Sequence, residues 1–331
     1  VRFRKNWLAF LLTLSFGLIL AGCGQPSVSQ VVRQLQTVQS QLTSYKSTAM
    51  MTVHVQGAVE RYYVETWYQS PNQYRIALGN ESHEISQIIL RNDRGIFILS
   101  PGAKKMIRFQ GDWAERQGQL YLYNALLARI VAANQPVYST REKIVSFEMG
   151  AESINPLIST QKVELAAGTF APVQVTLFDK QKQPLITMTY LTYHKGVSFP
   201  ANAFSADQMT SWQPVELPVS APVQEFGIVE PGYVPGTDAV MSESEAAGVI
   251  MVRYDGSAPF TLVEAHRTVS TDLGSGQLLT VEGVPAVLVE DGQVSQLYWM
   301  HDGIEFQMTS RMAKEKMVQV ASSTFGDLGK S

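Results

Sequence analysis

The sequence of 331 residues predicts a mainly β protein of the α+β class, with a large N-terminal antiparallel unit and a small C-terminal α+β unit. Three observations carry this. Apolar and polar residues alternate with a period of two over most of the chain, which marks half-buried strands. Turn sequences such as Asn92-Asp93-Arg94-Gly95, Asp255-Gly256, Asp291-Gly292 and Asp302-Gly303 recur between those runs, as hairpins require. Five prolines (Pro214, Pro218, Pro222, Pro231 and Pro235) crowd one stretch, and since proline cannot donate to a ladder they mark a linker.

The first residues read as a leader. Arg2, Arg4 and Lys5 precede an apolar run from Trp7 to Leu20 that closes on Leu20-Ala21-Gly22-Cys23. That run is short for a membrane span of about 20 residues, and its small-residue end reads as a processing site. The pattern is similar to a bacterial lipobox, which implies cleavage between Gly22 and Cys23 and a covalent diacylglycerol on the Cys23 sulfur. Cys23 is the sole cysteine, so no disulfide staples the folded part. Residues 1–22 are then signal peptide and 23–26 a lipidated tether, placing the mature protein on the extracytoplasmic face of the cell membrane. Lys and Arg total 26 against 29 Asp and Glu, a formal net charge of −3; removing the three basic residues of the leader makes the remainder more acidic. Such a balance argues against a nucleic-acid partner.

Residues 27–45 read as an amphipathic helix, with Val31, Leu35, Val38, Leu42 and Tyr45 at steps of four and three and Ser27 or Ser29 as cap. The period then changes. Met51 to Gln56, Arg61 to Gln69, Gln73 to Leu78, Ile85 to Leu90, Gly95 to Leu99 and Lys104 to Phe109 form an antiparallel meander. Tyr121 to Ala133 is rich in Leu and Ala and reads as a second helix. Strands resume at Lys143 to Met149, Ser159 to Leu165, Val173 to Asp179 and Leu185 to Tyr193, completing a unit over 27–211. A linker at 212–236 leads to the unit at 237–326. There Ser242 to Ala247 reads as a short helix opened by a Ser242/Glu245 capping box. Six strands follow between Val249 and Thr309, and Ala313 to Ser323 is a closing helix.

The run Trp67-Tyr68-Gln69-Ser70-Pro71-Asn72-Gln73-Tyr74-Arg75-Ile76, followed by the Ile88 to Leu99 hairpin and Lys105-Met106, resembles the superfamily of LolA-like lipoprotein carriers and RseB. Phe170-Ala171-Pro172-Val173-Gln174-Val175 and Val197-Ser198-Phe199-Pro200 with Phe204 look like its closing strands. Within it the chain is most similar to lipidated Gram-positive members of the YdcC and GerS type, associated with sporulation and germination. The resemblance implies a strongly curved, unclosed β half-barrel whose apolar inner face is covered by helices and accepts an acyl chain or a hydrophobic segment. Met51, Val53 and Val55, with Val64 nearby and Trp67 on the opposite face of its strand, are the groove candidates. A lipid anchor is at odds with shuttling between membranes and leaves local binding or handing-on.

Chemistry of other kinds finds little footing. His54, His83, His194, His266 and His301 show no metal-ligand spacing. No G-x-S-x-G elbow or P-loop occurs, and His301-Asp302 before Gly303 is a turn signal before it is a dyad. No cofactor is expected beyond the covalent diacylglycerol. The readings are a non-catalytic binder of a lipid, an acyl group or a hydrophobic partner segment, or a regulatory protein acting on another envelope protein in sporulation, germination or stress signalling. An envelope hydrolase would need a clustered acid, base and nucleophile that the sequence does not display.

Overall fold

The computed structural model describes residues 27–55, 58–101, 105–109, 120–133, 135–151, 153, 155–206, 229–236, 241–246, 249–265, 276–292 and 294–325. Cys23, Gly22 and the rest of the expected leader lie outside them, as does the expected linker from 212 to 228.

Helix α1 (Val28–Ser40) starts on a capping box: the Ser27 hydroxyl accepts from the Gln30 backbone N–H, and Gln30 Oε1 accepts from the Ser27 N–H at 2.9 Å. Its Val31 and Leu35 are buried. The expected helix ran on to Tyr45, but the chain turns at Gln41 and Ser44 already opens β1 (Ser44–Val55). Helical spacing continues into the first apolar residues of that strand, where it no longer has structural meaning.

β1 sits at the centre of an eleven-stranded antiparallel sheet. On one side follow β2 (Ala58–Gln69), β3 (Gln73–Gly79), β4 (Ile85–Asn92), β5 (Gly95–Ser100) and β6 (Lys105–Phe109). On the other side lies β11 (Pro184–Lys195), then β10 (Pro172–Phe178), β9 (Thr160–Ala166), β8 (Ile144–Gly150) and β7 (Val137–Arg141). Two meanders are thus zipped together by one long-range pairing, Tyr45 opposite Lys195 to Val53 opposite Ile186. β6 and β7 are the outermost strands, so the sheet is not closed into a barrel. Register shifts at Thr48/Ala49 and Leu78/Gly79 are bulges of the kind that bend a sheet. At the second, a side chain on Gly79 would stand 2.5 Å from the Glu84 carbonyl oxygen, so only glycine fits. β7 escaped the sequence reading because it is a five-residue edge strand with a largely solvated pattern.

The inner face holds α1 and helix α2 (Tyr123–Ala132), which pack on each other. α2 lacks a side-chain cap of its own; Tyr45 supplies one from β1, its hydroxyl accepting the Tyr123 N–H at 2.9 Å. The outer face of β3 to β5 is covered by the 199–206 segment, where Phe204 and Ala203 join Ile88, Leu90, Phe97 and Leu99 in a separate apolar cluster.

The second sheet has the order β12 (Met241–Ala246), β13 (Val249–Tyr254), β14 (Phe260–Ala265), β18 (Ile304–Ser310), β17 (Val294–His301), β16 (Val284–Asp291), β15 (Gln277–Val281), all antiparallel. Helix α3 (Lys314–Ser322) packs on β15, β17 and β18. The short helix expected at Ser242 to Ala247 is instead strand β12, paired from Met241 opposite Tyr254 to Ala246 opposite Val249. Its Ser and Glu mimic a capping box, but a neighbouring strand with free ladder groups wins over so local a signal. The last part of the expected linker also packs: the Val229 N–H donates to Glu264 Oε2 (3.1 Å) and the Gly232 N–H to the Ser323 carbonyl (3.2 Å). Buried side chains from both sheets merge into one continuous core.

Candidate functional site

Alternation along β1 points Tyr45, Ser47, Ala49, Met51 and Val53 inward. Their partners on β2 are Tyr68, Thr66, Val64, Tyr62 and Glu60. The groove candidates Met51, Val53 and Val64 therefore share the inner face, and each is at most 1% exposed. Val55 ends β1 opposite Ala58, and its side chain lies outside the described residues. Trp67 faces the other way. It stacks on Phe199 at 5.3 Å and lies under Lys46 Nζ (5.1 Å) and Arg75 Cζ (4.9 Å). Glu65 bridges those two cations at 2.8 and 2.9 Å.

The inner face is not uniformly open. At its deep end the chain fills its own hollow. Tyr121 sets its hydroxyl 3.8 Å from Met51 Sδ, and the turn between β15 and β16 comes in from the second sheet. A Cβ on Gly283 would lie 2.9 Å from Met51 Sδ and 3.6 Å from Leu120 Cδ2. Glu282 and Gly283 both have positive φ (48° and 78°), as a two-residue hairpin turn of this hand requires. Glu282 is buried beside them. Its Oε1 accepts from Asn155 Nδ2 at 3.0 Å, and Asn155 also reaches the Ser322 hydroxyl on α3 at 3.5 Å. Burial pushes the Glu282 carboxyl up to about 7; hydrogen bonds from Ser322 and Asn155 draw it back in part, and Glu60 adds like-charge repulsion.

A polar chain runs along the same junction. The Tyr62 hydroxyl has one proton, which goes to Glu60 Oε2 at 2.5 Å, so it accepts from His301 Nδ1 at 3.2 Å. His301 is 3% exposed and stacks on Phe325 at 4.2 Å. Its Nε2 lies 3.2 Å from Glu60 Oε1, within ion-pair range but off the hydrogen-bonding line. Asp302 and Gly303 beyond it form the expected turn, both with positive φ. Burial, and after it the Glu60 carboxylate, push the Tyr62 hydroxyl far above its usual range, so Tyr62 stays neutral. This chain ties β2 to β17 across the two sheets.

At the other end, where α1 and α2 meet the turn after β2 and the edge at β7 and β8, a cavity of about 1000 Å³ stays open. Ligand sites typically enclose about 300–1,000 Å³. Its apolar lining comes from Leu42, Tyr68, Met149 and one face of α2, Ala125, Ala128 and Ala132. The opposite face of that helix carries Tyr123, Leu126, Leu127 and Ile130, all buried. Large residues hold α2 down while its alanines leave room beside α1. The rim is polar: Arg129 donates to the Gly150 carbonyl and Lys182 pairs with Glu148. Neither the alanine face nor the Glu282 junction was singled out from the sequence. The alanine spacing was there to be read; the junction joins residues more than a hundred positions apart.

Among the described residues no group of three or more His, Cys, Asp or Glu stands close enough to hold a metal ion, and no helix is long and apolar enough to cross a membrane.

No protein-family model matches the chain. It is 28% identical over 337 aligned residues, spanning 99% of each protein, to the sporulation protein YdcC of Bacillus subtilis. Structural neighbours include a chain from the complex of MucA and MucB of Pseudomonas aeruginosa (14% identity, 89% of this chain and 97% of that one, TM-score 0.32). Another comes from the complex of the CwlD amidase with the GerS lipoprotein of Clostridioides difficile (15% identity, 54% and 98%, TM-score 0.31). The likeness to YdcC runs from end to end, and the chain is thus similar over its full length to a protein of the Gram-positive type that its sequence patterns resemble.

Proposed function

We propose that this is a non-catalytic, extracytoplasmic binding protein of sporulation, tethered by a diacylglycerol on Cys23, that holds an acyl chain or an apolar segment of similar width in the cavity beside α2. The observation that carries the reading is the cavity of about 1000 Å³ beside Ala125, Ala128 and Ala132, bordered by Gln39 and Ser40 at the end of α1 and rimmed by polar groups. The whole-length likeness to YdcC supports the role in sporulation, and Leu20-Ala21-Gly22-Cys23 supports the tether.

Physically, transfer of a chain from water into such a site is worth roughly 0.8 kcal/mol per buried methylene. The polar rim keeps a headgroup or flanking peptide solvated. Cation and carboxylate at the rim are already paired with Gly150 and Lys182, so the driving force is apolar burial. Native mass spectrometry and lipid extraction of the purified protein test this: a co-purifying acyl species or apolar peptide is expected, lost in Ala128→Trp. Recovery of a ligand-free protein that takes up neither would refute it. Cys23→Ala should move the protein from the membrane to the soluble fraction; unchanged membrane association would refute the tether.

A further inference from the structure

The deep end of the inner face combines two features that do not suit a permanent core. First, the element filling it is backbone, delivered by a turn of the other sheet: Gly283 reaches Met51 and Leu120 because it has no side chain. Second, the residue next to it is a carboxylic acid. Glu282 is 5% exposed and held by Asn155 and Ser322, while Gly283 beside it meets the apolar side chains of Met51 and Leu120. A plug built only for stability would carry an apolar residue there, because burying a carboxyl costs free energy even when it is hydrogen-bonded.

We propose that the β15–β16 turn is a displaceable plug: held by Asn155 and Ser322, it occupies a part of the inner face that an apolar ligand takes when the turn withdraws. The proposal rests on the binding reading above and extends the ligand's path from the alanine-lined cavity toward Met51 and Val53.

The groups facing Glu282 give the plug a direction of control. Asn155 approaches from the loop between β8 and β9, Ser322 from α3, and Glu60 from β2, where it is engaged by Tyr62 and His301 of β17. Glu60 is the charged group among those acting on Glu282, and it is of like sign. The docked turn thus favours the protonated acid, whose carboxyl is raised from 4.5 to about 7. A group raised in the docked state gives its full stabilisation below its free value and loses it as pH climbs to the docked value. Docking therefore weakens about tenfold per pH unit between about 4.5 and 7, and levels off above.

The test uses the full chain carried on phosphatidylcholine vesicles. Hydrogen exchange of residues 280–284, corrected for intrinsic rates, reports withdrawal of the turn. A neutral dodecyl diazirine, photolysed and mapped by mass spectrometry, reports which surface the apolar probe reaches. Between pH 5 and pH 7.5, exchange in the turn is expected to rise about 60-fold, with crosslinks spreading from α2 to the peptide holding Met51 and Val53. Glu282→Gln should hold both at their pH 5 levels, and Asn155→Ala should raise both already at pH 5. Exchange indifferent to pH and to both variants would overturn the plug while leaving crosslinks on α2, and the binding reading, intact. A pH step in exchange with no crosslinks on α2 or β1 at any pH would overturn the binding reading and with it the ligand's entry behind the turn.

Discussion

The two ends of the inner face are built from the same sheet and both rely on residues with little or no side chain, yet they do opposite things. At the α2 end Ala125, Ala128 and Ala132 keep a helix surface shallow, and the space they leave stays open. At the other end Gly283 has no side chain at all, and the space it leaves is taken by Met51 and Leu120 of the same molecule. Small residues create room; whether that room becomes a site or a joint depends on what lies across from it. α1 reaches the alanine-lined cavity with its last residues, Gln39 and Ser40, whereas the second sheet drives its turn straight onto Met51.

The sharpest way to break this contrast is to give the joint a side chain. Gly283→Val places a β-branched group at φ +78°, where its first carbon would stand 2.9 Å from Met51 Sδ. A left-handed backbone costs a non-glycine residue about 1–2 kcal/mol, and overpacking adds about 1–3 kcal/mol. Urea unfolding should show a loss of about 2–5 kcal/mol, and Gly283→Val with Met51→Ala in one chain should cost less than the two single changes added together. Strict additivity would mean that Met51 does not receive the turn.

Next in size is the effect of pH on the joint. Because Glu282 is buried with its carboxyl held near 7 against an ordinary 4.5, the stabilisation it gives in acid is lost as pH rises through that window. Linkage puts this at about 2–3 kcal/mol between pH 4.5 and 8. Glu282→Gln should flatten the slope of stability against pH; an unchanged slope would mean that another group carries it.

A smaller effect belongs to Trp67, which serves neither end. Trp67→Leu removes the ring from between Phe199, Lys46 and Arg75. It should lower stability by about 1–2 kcal/mol and leave ligand occupancy as it was. A loss of ligand would return Trp67 to the binding path, against its placement on the outer face.

How far the sequence reaches follows from the range of each interaction. Alternation along Met51-Thr52-Val53 identifies the inward residues because the side-chain period of a strand is local, and the structure keeps that phase. The cap of α1 is local too, and of the two expected candidates, Ser27 and Ser29, it is Ser27 that supplies it. Tyr45 and Ser242 misled because spacing and capping signals are weaker than strand pairing, which is decided by β11 and β2 in one case and β13 in the other. The filled hollow is beyond any window of sequence: Met51 meets Gly283 more than two hundred residues on. A reader of Leu278 to Val281 and Val284 onward sees a Glu-Gly hairpin turn, but nothing nearby says that it points into another sheet.

The smallest expected change in stability is also the one that separates the two ends most cleanly. Ala128 lies on the exposed face of α2, and leucine is nearly as good a helix former as alanine, so Ala128→Leu should shift stability by less than about 0.5 kcal/mol. Its neighbour Leu127 is fully buried, and Leu127→Ala should cost about 2–5 kcal/mol. If the cavity is a binding site, the two variants part again on occupancy. Ala128→Leu, with its fold intact, should lose the acyl or peptide ligand in native mass spectrometry. Should it instead keep the ligand, the alanine face is only a thin spot in the packing, and the binding surface has to be sought behind the Glu282 turn.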